Sequence, residues 1–234
     1  MGLRIWETDP EAEPKPRQSF ANDLVGRFRS GYQVNGRPAS LEKWRVTTGD
    51  PEVANEVRQL FGGDKPQQWE TQGEDNLEVF TDSPKVKIVL DGPTAIRQEM
   101  VLWGRSGAIR RCDGMEQTGV DKDDDAKGRP CECPASYADR KAAAKKGTGC
   151  TPSTTLYFTL ADAPELGKFR FNSGSWSLVR DIVTAEARLA EIDGPAVAYL
   201  GLEVVEFEAG GQKRIFTKPV VDVLGPLKDT EPPF

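Results

Sequence analysis

Four cysteines and no histidine bound the chemistry open to this chain of 234 residues. Cys112, Cys131, Cys133 and Cys150 are the only thiols, and all four fall in one segment. Four thiolates with no surplus suit a structural zinc, which is commonly held tetrahedrally by four cysteines. The neighbours agree: Arg110 and Arg111 favour thiolates, Asp113-Gly114 turns the chain after the first ligand, and Pro134 follows the central pair. The spacing is unusual, because the common knuckle is Cys-x-x-Cys and this chain has Cys131-Glu132-Cys133. Two other states are open to these thiols. They could be small buried hydrophobes, although such cysteines are more often scattered through strands than gathered in a polar loop. They could also form disulfides, which a reducing cytoplasm disfavours.

Without histidine, Ser-His-Asp and Cys-His mechanisms and His-ligated metals are impossible. Ser173-Gly174-Ser175 lacks the flanks of a nucleophile elbow, and no Gly-Lys-Ser/Thr loop cradles phosphate. Pro130-Cys131-Glu132-Cys133 is one residue short of the Pro-Cys-x-x-Cys of zinc deaminases, and no upstream element supplies a third ligand and a general acid. The acidic run Asp121 to Asp125 lacks the glycine and the distal glutamate of a calcium loop. The expectation is a binding protein, not an enzyme.

Positioning the cysteines takes a body of strands and helices. Asp50-Pro51-Glu52 starts a helix with a capping carboxylate and a proline at the first helical position; Val53, Val57, Leu60 and Phe61 follow at helical spacing, and Gly62-Gly63 ends it. Ser175 caps a second helix whose apolar positions include Leu178, Ile182, Ala185 and Leu189. A third runs from Ser136 to Lys146, and Ser40 caps a short helical turn carrying Leu41 and Trp44. Leu77 to Thr81, Val86 to Leu90, Thr155 to Leu160 and Lys168 to Phe171 alternate as strands do. Asn35-Gly36 signals a tight turn. Val197 to Phe207 and Lys213 to Phe216 form a hairpin across Gly210-Gly211, and Pro219 to Leu224 adds a strand. The expected fold is α+β: a mostly antiparallel sheet with a few helices and an inserted four-cysteine module at residues 104–151. One domain spans 20–225, between polar tails at 1–19 and 226–234.

The net charge is -6. A protein devoted to DNA phosphates usually presents a basic face; here basic residues occur only in patches, such as Arg27 with Arg29, so protein partners fit better. No apolar run suits a signal peptide or a spanning helix, which points to the cytoplasm and excludes a membrane partner. Gly26-Arg27-Phe28-Arg29 and Lys168-Phe169-Arg170-Phe171 interleave basic and aromatic residues. They read as strands with aromatics inside and charges outside, or as platforms for single-stranded bases.

Several stretches resemble the recombination directionality factors of actinobacterial temperate phages, which partner large serine integrases. They are Val25 to Gly49, Gly73 to Thr81, Leu102 to Gly107, Pro152 to Asp162 and Pro164 to Arg180, and the resemblance spans about residues 20–225. It implies a protein that binds the integrase's C-terminal region and its coiled-coil arm, and switches it from integration to excision of the prophage. It also implies that DNA is met mainly through the integrase and that there is no small-molecule substrate. Exposed aromatics flanked by arginine dominate interface energetics, so Phe28, Arg29, Tyr32 and Trp176 are the candidate partner-binding residues. The competing reading is a phage single-stranded-DNA-binding or replication accessory protein.

Overall fold

The structure is a computed structural model that describes residues 24–34, 37–71, 73–121, 124–209 and 211–229. The expected turn at Asn35-Gly36, the tail at 1–19 and most of the tail at 226–234 lie outside them. So does part of the acidic run, at residues 122 and 123. In chain order the strands are β1 (Leu24–Val34), β2 (Arg37–Thr48), β3 (Gln67–Gln68), β4 (Leu77–Phe80), β5 (Lys85–Leu90), β6 (Ile96–Gly104) and β7 (Gly107–Cys112). They continue with β8 (Thr151–Leu160), β9 (Lys168–Ser173), β10 (Ala196–Ala209) and β11 (Gln212–Pro226). The helices are α1 (Pro51–Phe61), α2 (Tyr137–Lys145) and α3 (Trp176–Glu191). No helix among the described residues is long and apolar enough to cross a membrane.

All strands join one sheet in the order β11-β10-β5-β8-β9-β1-β2-β4-β3, and the β6–β7 hairpin is added along β8. Every pairing is antiparallel except β1 with β9. The expected fold class is therefore the one observed. Residues 81–84 connect β4 directly to β5, yet four strands lie between those two in the sheet. Laid flat, that separation is about 24 Å at ~4.8 Å per strand, beyond the reach of so short a connection. The sheet must curl. The connection stitches the curl shut: Trp44 N donates to Ser83 O at 3.0 Å, and Leu202 N donates to Pro84 O at 2.8 Å.

The concave side holds the core. Strand side chains alternate between faces, and β8 follows this along its whole length, burying Pro152, Thr154, Leu156, Phe158 and Leu160. Phe28 of β1 sits among Trp44, Phe61, Phe158 and Phe169, with ring centroids 5.4 to 6.3 Å away and all four contacts edge-to-face. Helix α3 closes this side with Leu178, Ile182, Ala185 and Leu189 buried, and α1 closes it with Val53, Ala54 and Val57. The caps form as expected: Asp50 accepts from Glu52 N at 2.8 Å, and Ser175 from Leu178 N at 3.4 Å. After α1, Gly63 holds a φ of +93°, and a Cβ there would lie 1.9 Å from Phe80 O, so only glycine allows the chain to pass so close to β4.

Two expected elements differ. Ser40 does not cap a helical turn; residues 37–48 are strand β2, because Ser40 pairs with Gly31 of β1 and the ladder takes the backbone groups a helix would use. Trp44 is still buried, as expected of it. Lys213 to Phe216 and Pro219 to Leu224 are not two strands but one, β11, paired with β10 almost throughout. Pro219 is tolerated because β11 is an edge strand that needs no second ladder. The body also runs past residue 225, since a helical turn at Leu227–Asp229 follows and Leu227 N donates to Pro195 O at 2.9 Å.

Phe28→Ala removes the ring on which four others converge, and is expected to cost about 3–5 kcal/mol in urea denaturation. A loss under ~1 kcal/mol would show that this aromatic centre does not organise the sheet.

Candidate metal centre and partner-facing surfaces

Strand pairing brings the first and last cysteines together. Met100 of β6 pairs with Cys112 at the end of β7 on one side and with Pro152 near the start of β8 on the other. Cys112 and Cys150 are thereby buried around Met100, and Leu102 and Trp176 complete this small second core. A doubled-back loop delivers the other two. Asp113 accepts from the N–H groups of Met115 and Glu116, both at 2.8 Å, and the loop then returns along itself until Cys131 N donates to Met115 O at 2.6 Å. With a single residue between them, Cys131 and Cys133 both bring their sulfurs to Cys112 Sγ, at 2.9 and 4.0 Å. The tight Cys-x-Cys spacing thus serves the site.

Helix α2 braces the loop. Ser136 accepts from Asp139 N at 3.1 Å, and Arg140 donates to Gly114 O at 2.6 Å. Gly149 lies against the end of α2, where a Cβ would come within 2.7 Å of the Ala143 Cβ, and this contact sets Cys150 in place. Tyr137 ties the module to α3, donating to Trp176 O at 2.6 Å with its ring 5.3 Å from the indole. Asp124, in the acidic run, accepts from Val120 N and Ala126 N, so it is spent on the loop's own backbone.

The four sulfurs lie within 4.8 Å of one another, and no disulfide joins them. Four ligands at ~2.3 Å around a tetrahedral ion would have sulfurs about 3.8 Å apart, so this is the donor set and spacing of a possible metal site. Burial pushes the Cys112 thiol up, aided by its hydrogen bond with Cys131. Burial also opposes the Cys133 thiolate, but hydrogen bonds from Cys131 and Cys150 outweigh it and hold that thiol below its ordinary value. By themselves the thiols thus stabilise a negative charge at Cys133 and oppose one at Cys112. Arg110 adds a cation beside them: burial works against its charge, but bonding to Cys150 more than offsets this.

The four expected partner-binding residues do not form one surface. Phe28 is only 2% exposed and belongs to the core; strand alternation turns it inward, so it offers nothing to a partner. The same holds for Phe169 and Phe171, which excludes the three phenylalanines as platforms for bases. Arg29 is on the opposite, outer face, Tyr32 is exposed near the end of β1 with its ring 6.0 Å from Phe80, and Trp176 is half-buried under Tyr137.

A different apolar surface was legible only in part. Beyond Gly201, β10 leaves β5, and the β10–β11 hairpin continues as a ribbon about 25 Å long, at ~3.4 Å per residue. Along it Val204, Phe207, Ile215 and Phe216 are all exposed, on both faces of the ribbon, and Phe207 meets Phe216 edge-to-face at 5.7 Å. Apolar residues on both sides of Gly210-Gly211 are the sequence signal for it. Isolated two-stranded ribbons are marginal in water, and clustered exposed apolar side chains mark interaction sites.

A family model described as Gp3-like, recombination directionality factor-like, matches residues 25–224. The chain belongs to this family. No solved structure matches the chain. The match to these recombination directionality factor-like proteins covers the curled sheet, the cysteine module and nearly all of the ribbon. It therefore describes the whole body and not a fragment of it.

On the outer face, Asp75 anchors a polar layer. Its Oδ2 accepts from Thr47 Oγ1 at 2.9 Å and Arg29 Nη2 at 3.1 Å, with Arg27 Nε at 3.6 Å, and Trp69 donates to its carbonyl at 2.7 Å. Burial alone would raise this carboxyl's pKa, but the Thr47 hydrogen bond and the Arg27 charge hold it below its ordinary value. A depressed value means stability that is fully present above the unfolded pKa of ~3.9 and is lost as pH falls through the folded value. Asp75→Asn should therefore cost about 1–3 kcal/mol at pH 7. The gap to wild type should close in urea melts as pH drops below ~4; a gap that widens in acid would contradict this.

Proposed function

We propose that this chain switches a large serine integrase from integration to excision of a prophage, with no bond chemistry of its own. The carrying observation is its membership of the recombination directionality factor-like family over residues 25–224. A chain without histidine is consistent with a partner that supplies the catalytic serine.

A switch of this kind has a definite energetic form. The factor must bind the integrase assembly on hybrid sites more tightly than the assembly on the original pair, because equal affinity shifts nothing. Reversing the outcome almost completely takes about 5.5 kcal/mol. Spread over four integrase subunits that is a little over ~1 kcal/mol each, an ordinary coupling energy.

The β10–β11 ribbon supports docking on the integrase. Its apolar side chains are interleaved with Glu203, Glu206, Lys213 and Lys218, which pair across the ribbon: Lys213 reaches Glu206 at 2.6 Å and Lys218 reaches Glu203 at 3.2 Å. Apolar side chains set among charged ones suit the surface of a coiled-coil arm, where an apolar seam is flanked by charges. The four cysteines, in this reading, hold one structural zinc. On the order of 10 kcal/mol of metal binding keeps a polar module folded, and α2 and Tyr137 pass that rigidity to α3.

Two measurements test these assignments. Ile215→Asp and Phe207→Ser should weaken integrase capture in pull-down titrations by about tenfold or more, as loss of interface anchors does, with unchanged circular dichroism. Undiminished capture would remove the ribbon from the interface. Metal analysis of purified protein should find about one zinc per chain, lost in Cys112→Ser and in Cys150→Ser, with a lower melting temperature after chelation. Metal-free protein that melts unchanged would exclude the zinc.

A further inference from the structure

The two basic-aromatic stretches lose their phenylalanines to the core, but their arginines turn outward and meet others the sequence did not bring together. Arg27 of β1 pairs in register with Arg170 of β9, and Arg170 with Tyr157 of β8. One row along, Asn172 pairs with Thr155, and Thr155 with Arg97 of β6. Since neighbouring strands lie ~4.8 Å apart and alternate residues ~6.8 Å apart, these side chains form a lattice of donors on one face. The β6–β7 hairpin walls it with Arg111 and with Trp103, which is 55% exposed. The trough between them has a volume of about 580 Å³.

Its charge is one-sided. Arg27, Arg29, Arg111 and Arg170 line it, and Arg97 and Lys168 extend it. Facing them are three carboxylates: Asp75, buried under Arg27 and Arg29, Glu99, paired with Arg111, and Asp91, in the extension that holds Arg97 and Lys168. Arg170 makes no ion pair among the described residues, and Arg97 rests its guanidinium on the Tyr157 ring, 5.3 Å from the centroid. The remaining polar lining is hydroxyl and amide: Ser30, Ser153, Thr155 and Asn172, with Asn172 donating to the hydroxyls of Ser153 and Thr155. A protein of net charge -6 thus concentrates cations in one concave place.

We propose that this trough binds single-stranded nucleic acid, with its arginines on successive phosphates and Trp103 and Tyr157 stacking on bases. Guanidinium, amide and hydroxyl donors are the groups that contact phosphates. A positively charged groove flanked by aromatic rings is the recurrent design for single strands. An acidic peptide would use the arginines but not the rings, and a duplex hides the base faces that the rings need. This activity is separate from integrase binding and requires no integrase to be measured.

The test is fluorescence anisotropy with the purified full chain and a labelled twenty-nucleotide oligo-dT. Parallel arms use the duplex of the same length and a polyglutamate peptide. Binding of the single strand should weaken with salt, with a log–log slope near about -2 to -3 for three or four phosphate contacts. Arg170→Gln should reduce that slope by ~0.7, and Trp103→Ala should weaken binding roughly five- to hundredfold, with Trp103→Tyr restoring most of it. These side chains lie outside the core, and circular dichroism reports any variant that misfolds. No binding at about 50 mM salt, a flat salt dependence, equal binding of polyglutamate or duplex, or variants indistinguishable from wild type would each overturn the proposal.

Discussion

The register of β1, β9 and β8 is the constraint from which the rest of the molecule follows. Phe28 pairs with Phe171, and Phe171 with Leu156, so these strands present one apolar row to the same side. With a side-chain period of two, a slip of a single residue would bury Arg27, Arg29 and Arg170 and expose the phenylalanines. Desolvating three guanidiniums without partners costs far more than any local strand preference can repay. The register is therefore fixed by burial, and the fixed register gives the sheet an aromatic inside and a cationic outside. The short link from β4 to β5 then forces that sheet to close around the aromatic side.

This explains which features were readable in the sequence and which were not. Helices α1 and α3 were legible almost residue by residue, because a cap, a helical period and a stop signal are all local. The cysteine module was legible from residue type, since four thiols with no others elsewhere leave few alternatives. Its assembly was not: nothing local says that Cys112 and Cys150 flank Met100, because that contact is a product of two strand pairings. Strands β6 and β7 were missed, and with them Arg97 and Trp103; Arg111 was noticed as a neighbour of the thiols, but its strand turns it to Glu99 and the trough instead. Ser40 misled because its capping chemistry is real in isolation, and the partner strand that overrides it is a tertiary fact. Phe28 misled in the opposite way: exposed aromatics next to arginine make good interface anchors, but alternation decides which of the two neighbours is outside.

The cysteine module and the ribbon stand at different levels of the same architecture. The module is a polar insertion gathered around its four sulfurs, with Arg110 and α2 beside them, and it is tied to the N-terminus of α3 by Tyr137 and Trp176. Helix α3 in turn carries β11, through Lys218 with Asp181 and Arg188 near Asp222. A continuous chain of packed elements thus leads from the sulfurs to the root of the ribbon. In the function proposed from membership of the recombination directionality factor-like family, this arrangement has a use. A body that presents an apolar ribbon can bias a partner between two assemblies by binding one better than the other, which is all that directionality requires.

A recombination assay reads that bias without intermediary. The cognate large serine integrase would be incubated with hybrid attachment sites, and separately with the original pair, each with and without saturating amounts of this protein. Recombination of hybrid sites is expected only when the protein is present, with recombination of the original pair falling at the same time. Unchanged product in both reactions, with an integrase shown to be active and bound by the protein, would contradict it.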